Sequence, residues 1–259
     1  MDKPYPNSLG NPPLLEMIVE FRFHTSLPDE ALFGLYYPII KDVFPNYTSL
    51  PIMNIPPEVR KMDPALMYQP YYHFSGDSNI SLSIGSRVLS FKYERYKDGK
   101  LIDYPGWRKY IASFVSNLTK DIFNAIHLET IERIGIRYID FLDNIKLRNY
   151  ITPHFEFPNR SLERVQVTCS IAEDNILHNI NLSDSAEFKH HFNNQLIEHK
   201  VGSIIDIDSE YKPENISSFL QKTEELLTTM HDGNKNLFYE IMKVELVNMY
   251  DPRYGDIGE

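Results

Sequence analysis

Four stretches of this 259-residue chain carry charged side chains at every second position. Over residues 14–24, Glu16, Ile18, Glu20, Arg22 and His24 alternate with Leu15, Met17, Val19, Phe21 and Phe23. Residues 87–95 set Lys92 and Glu94 on one side. Residues 130–143 set out Arg133, Gly135, Arg137, Ile139 and Phe141, and residues 203–210 set Ile204, Asp206, Asp208 and Glu210 against Ile205 and Ile207. Period two is the side-chain repeat of a β-strand, so each charged set shares one sheet face opposite an apolar one.

Three chemistries fit such a face. Opposite charges on neighbouring strands stabilise a wet face, at about 0.2–1 kcal/mol per pair. Alternatively the face lines a groove for a polar ligand, or is buried against a protein partner or a second copy. The third option is metal-dependent phosphohydrolysis or nucleotide processing. Asp206, Asp208 and Glu210, with Glu16 and Glu20, would hold Mg²⁺ or Mn²⁺, and Arg22, Arg133 and Arg137 would bind phosphate. Alternate residues on a strand lie about 7 Å apart, so the three carboxylates reach one ion only if the strand bends. No metal is therefore favoured. Glu16 and Glu20 also loosely resemble the glutamates of the triphosphate-tunnel fold. That fold places them at alternate positions, whereas here Ile18 intervenes and basic residues are few.

Other catalytic templates are missing. The sequence has no glycine-rich phosphate loop, no G-x-S-x-G and no H-E-x-x-H. His190-His191 reads as a solvated loop pair, and His231-Asp232 sits on a helix, where neighbours point about 100° apart. Trp107 heads an apolar helical stripe and reads as a packing anchor. Cys169, the only cysteine, lies in the alternating run Val165, Val167, Cys169, Ile171 and reads as a small buried residue. The balance favours a binding protein over an enzyme.

The elements that must carry these residues follow from periodicity. A strand at 14–24 precedes a helix from Asp29 to Val43 with Pro38 inside it. Strands follow at 67–75, 79–85 and 87–95. Pro105 opens an amphipathic helix bearing Trp107, Ile111, Val115, Leu118, Ile122 and Ile126. A long strand covers 130–143. Strands at 163–171, 175–182 and 196–210 come next, with a turn at Glu173-Asp174-Asn175. A helix after Pro213 runs on through Gly233. The order predicts an α+β protein of antiparallel sheet. Residues 1–129 and 130–259 form two related strand–helix–strands–helix halves of one compact unit, packed on two long helices. The early helix of the second half shrinks to the region of Asn149.

Composition sets outer bounds. Lys+Arg number 26 and Asp+Glu 36, for a formal charge of -10. Residues 198–259 hold 13 acidic and six basic side chains, so the excess sits in the last strand and helix. This balance argues against a nucleic-acid grip. No apolar run spans a bilayer, and the polar, proline-rich start does not read as a secretory signal. With one thiol, the expected location is the cytoplasm.

Several segments carry a resemblance. They are Asn11-Pro12-Pro13-Leu14-Leu15-Glu16 through Glu20-Phe21-Arg22-Phe23, Arg133-Ile134-Gly135-Ile136-Arg137-Tyr138-Ile139, Asp206-Ile207-Asp208, and Met230-His231-Asp232 leading to Phe238. Together they resemble a sporadically distributed prokaryotic family of unknown function, whose members have about this length. The resemblance covers nearly the whole chain and brings no catalytic residue. It implies carriage on mobile gene cassettes, where an accessory, antitoxin or immunity role is the expectation.

Overall fold

The computed structural model describes residues 5–97, 100–154, 156, 158–192 and 195–255. Nine strands form one antiparallel sheet. In chain order the main elements are β1 (Leu14–His24), α1 (Asp29–Ile40), β2 (Asn46–Ser49), β3 (Tyr72–Ser75), β4 (Ile80–Ile84), β5 (Val88–Glu94) and α2 (Ala112–Ala125). They continue with β6 (Thr130–Asp143), β7 (Gln166–Glu173), β8 (Ile176–Phe192), β9 (Gln195–Tyr211) and α3 (Ile216–Ile241). Across the sheet the order is β7-β8-β9-β6-β1-β5-β4-β3-β2.

The two leading strands therefore meet at the centre. β1 pairs with β6 from Leu14↔Asp140 to His24↔Thr130, with an irregularity at each end of the register. Outward from this pair, β5, β4 and β3 follow on one side, and β9, β8 and β7 on the other. The turn from β7 to β8 is the Asp174-Asn175 pair, both with positive φ (47° and 66°). Two residues of this kind match a tight hairpin turn between strands with right-handed twist.

Alternation decides which face is buried. Met17, Val19, Phe21 and Phe23 of β1, and Ile134 and Ile136 of β6, have no exposed surface. They pack with Leu32, Tyr36 and Ile40 of α1, Val115, Ile122 and Phe123 of α2, and Phe219, Leu227 and Met230 of α3 in one core that draws on both halves of the chain. Three long helices, not two, cover this face. Trp107 is fully buried as expected, in a π-turn (Trp107–Ile111) that leads into α2. α3 continues through Gly233 and changes direction at Lys222, whose φ/ψ of -114°/21° is non-helical. Gly233 lets α3 lie close to β8: a Cβ there would stand 3.2 Å from His178 Cε1. Asn215 caps the helix, its Oδ1 accepting from Ser218 N at 3.0 Å.

Several local expectations are overturned. The proline-rich stretch 51–70 contains a short helix at Pro57–Met62, opened by a proline at its first position. β2 was not expected: its four residues are all exposed, so no buried face marked it. Cys169 is exposed rather than buried. β7 is an edge strand with solvent on both faces, so its alternation has no core to answer to. His190 and His191 lie in β8 rather than in a loop. The His190 ring stacks on Phe188 at 6.5 Å and lies 5.3 Å from Tyr96.

Candidate functional site: a charged sheet face and a cleft behind it

The ten charged residues singled out by spacing all lie on the sheet face opposite the helices. β1 contributes Glu16, Glu20 and Arg22, β5 contributes Lys92 and Glu94, β6 contributes Arg133 and Arg137, and β9 contributes Asp206, Asp208 and Glu210. Register brings them together. Asp208 stands opposite Arg137, Glu210 opposite Gly135, and Glu20 opposite Gly135 from the other side. Gly135 leaves space above the sheet that the Arg133 guanidinium fills; a Cβ at 135 would lie 2.6 Å from its Nη1.

Arg133 is the hub. Its Nε donates to Glu210 at 2.5 Å, its Nη2 to Asp208 at 2.5 Å, and its Nη1 to Glu20 at 3.1 Å. Arg137 grips Asp206 with both arms, at 2.8 and 2.7 Å. Arg22 donates to Glu20 at 2.8 Å. Lys92 bridges Glu94 at 2.6 Å and Glu16 at 3.4 Å. These side chains are half-buried by one another, which strengthens each pair relative to water and restricts its motion.

The charge states follow from this packing. Burial pushes the Asp208 carboxyl above its ordinary value, against the pull of Arg133. Burial acts in the same sense on Glu210, but there the Arg133 hydrogen bond and charge outweigh it and hold the carboxyl below the ordinary value. Lys92 is held above the usual lysine value because Glu94 and Glu16 outweigh the cost of its burial.

The network extends further than its spacing revealed. Tyr68, from the segment before β3, donates to Glu132 at 2.5 Å. Its ring lies 4.9 Å from the Arg22 guanidinium and 5.3 Å from that of Arg87, and Arg87 pairs with Glu132. Glu132 falls at the irregular step in the β1–β6 register, where the strict alternation breaks. Asp206, Asp208 and Glu210 do not converge on a common point. Among the described residues, no group of three His, Cys, Asp or Glu side chains is disposed to hold a metal ion.

A second feature lies on the helix-covered face. A cleft of about 120 Å³ opens between the arm at 8–14, β6 and α3. Tyr104, Tyr138, Asp140, His231 and Phe238 are among its lining residues. Tyr138 hydroxyl and His231 Nδ1 are 2.8 Å apart, and the hydroxyls of Tyr104 and Tyr138 are 3.3 Å apart. The His231 ring stacks on Trp107 at 4.8 Å with 11° between planes. Burial, reinforced by Lys235 and Arg108, pushes its pKa down to about 3, so the imidazole is neutral. Asp140 follows the core parity of β6, in step with Ile134, Ile136 and Tyr138, and is 7 % exposed. Burial pushes its pKa up to about 8, with Arg95 opposing and Asp206 adding to the rise.

Compared with protein-family models and with curated proteins, the sequence matches none.

Proposed function

We propose that this chain is a binding protein whose charged sheet face docks a protein partner. The observation that supports this reading best is the state of that face. It is a broad surface of four strands, free of the long helices, whose six acidic and four basic side chains are held in one geometry by mutual ion pairs. Charges fixed in advance cost little further ordering on docking. They confer specificity and association rate through a complementary pattern. The excess of acid over base on the face, continued in residues 198–259, suits a partner that presents net positive charge.

A phosphohydrolase reading draws less support. Its phosphate-binding arginines and its carboxylates are each other's partners, so a substrate would have to break the Arg133 and Arg137 contacts before binding. The mirrored strand order on either side of β1 and β6 supports reading the chain as two related halves, with the counterpart of α1 reduced to the single turn at Leu147–Asn149. The family resemblance adds a cassette setting, in which the partner is encoded nearby and the pair works in the cytoplasm.

The test is co-expression with the products of the adjacent genes. Under the proposal one of them co-purifies at low salt and is released as salt rises. If the chain migrates alone, and no such product is retained at any salt concentration, the proposal fails.

A further inference from the structure

Asp140 stands apart from the other buried acids among the described residues. Asp184 is bonded to Val165 N and paired with Arg148, and Asp206 is clamped by Arg137. Asp140 has no hydrogen bond or ion pair from any described side chain, although it is 7 % exposed. The cation that acts on it is Arg95. Arg95 turns its two terminal nitrogens elsewhere, donating to the Pro12 carbonyl and, at 3.1 Å, to Asn11 Oδ1. A buried carboxyl without a partner is costly, and natural proteins retain few of them without a use.

This carboxyl lies in the wall of the cleft between the arm, β6 and α3. The remaining wall is mainly aromatic and aliphatic: Tyr104, Tyr138, Phe238, Tyr239, Leu9 and Leu14. His231 is neutral and buried, and its Nε2 has no hydrogen-bond partner. Lys235, the cation at this cleft, donates to the Asn7 carbonyl of the arm. An acid set among tyrosine and phenylalanine rings recognises one class of ligand well. A protonated amine pairs with the carboxylate, and its positive charge is attracted to the negative ring faces.

We propose that this cleft binds a small, largely apolar molecule bearing a protonated amine, with Asp140 as its counter-ion and the surrounding aromatic side chains packed on its carbon frame. The site is separate from the charged face, since the sheet itself lies between them, so either proposal stands if the other fails. Binding carries a proton signature. At pH 7 the empty Asp140 is largely protonated, because its pKa is about 8. The ammonium requires a carboxylate, so close to one proton leaves on binding. Of the neighbouring groups, His231 is neutral and Tyr250, raised to about 12 by burial and then by Asp140 and Asp143, is protonated; the charged side chains around Asp140 are Arg95, Lys235 and Asp206.

The probes are 2-phenylethylamine, its neutral isostere 2-phenylethanol and the anion 3-phenylpropionate, each titrated calorimetrically in two buffers of different ionisation enthalpy. The amine is expected to bind with release of about one proton, and the alcohol and the acid to bind at least about tenfold more weakly. D140N is expected to cost the amine about tenfold or more and to abolish the proton release. Should D140N fail to fold, Tyr104→Leu keeps apolar bulk while removing a ring, and is expected to weaken the amine about two- to fivefold. No amine binding at about 10 mM, equal binding of the alcohol, or unchanged binding by both variants would overturn the proposal.

Discussion

Replacing Asp140 by Asn tests the buried carboxyl without any ligand. Asn has nearly the shape of a protonated carboxyl and cannot ionise. The folded-state pKa of Asp140, about 8, lies above its ordinary value of 3.8. The folded protein therefore holds a proton that the unfolded chain gives up. Stability contributed by this group is complete below pH 4 and is lost as the pH rises to 8. One pKa unit corresponds to about 1.4 kcal/mol, which sets a ceiling of about 6 kcal/mol on the loss. By linkage the gap grows by at most about 1.4 kcal/mol per pH unit between pH 4 and pH 8. D140N should match the wild type near pH 4 and exceed it increasingly up to pH 8, above which the gap is constant. Urea unfolding followed by circular dichroism at half-unit steps from pH 5 to 9 measures this directly. A gap that stays constant over the whole range would mean that Asp140 ionises like an exposed carboxyl, and the reasoning would be wrong.

Other substitutions probe the remaining contacts. R133M should destabilise the fold by about 2–4 kcal/mol at neutral pH, because Glu20, Asp208 and Glu210 lose their shared partner at once; R133K should recover only part of this, since an ammonium cannot reproduce the three-way fork. Denaturant midpoints read both effects. Gly202→Ala should cost about 1–3 kcal/mol, because its Cβ would lie 2.2 Å from the Leu142 carbonyl oxygen. Gly34→Ala, on the open side of α1 with nothing within 4 Å, should instead gain about 0.5–1 kcal/mol in the same assay. Calorimetric titration with Mg²⁺ and Mn²⁺ should show no binding at millimolar metal, as Asp206, Asp208 and Glu210 are each held by an arginine; a saturable isotherm lost in Asp208→Asn would restore the metal reading.

The charged face was legible because strands repeat every two residues. Once β1, β6 and β9 were recognised, Glu16, Glu20, Arg133, Arg137, Asp206, Asp208 and Glu210 had to lie opposite their apolar neighbours. Which charges would meet depended on register and strand order, and neither is written in the alternation of a single strand. Asp140 shows what was missed. It sits two residues beyond Tyr138 in the series that begins at Ile134, so parity alone placed an acid on the buried face. Cys169 and Ile171 show the opposite failure, since alternation implies a core only where another layer covers the strand. β2 offered no pattern because none of its four residues is buried.

The claim that the charged face is a docking surface is tested most directly by association kinetics with the co-purifying neighbour product. Glu94 is the rim residue to change, because it is among the most exposed charges of the face. The account predicts that E94K, folded to the wild-type stability, associates about tenfold more slowly at low salt, and that added salt removes the difference. Identical association rates for wild type and E94K across the salt range would contradict it.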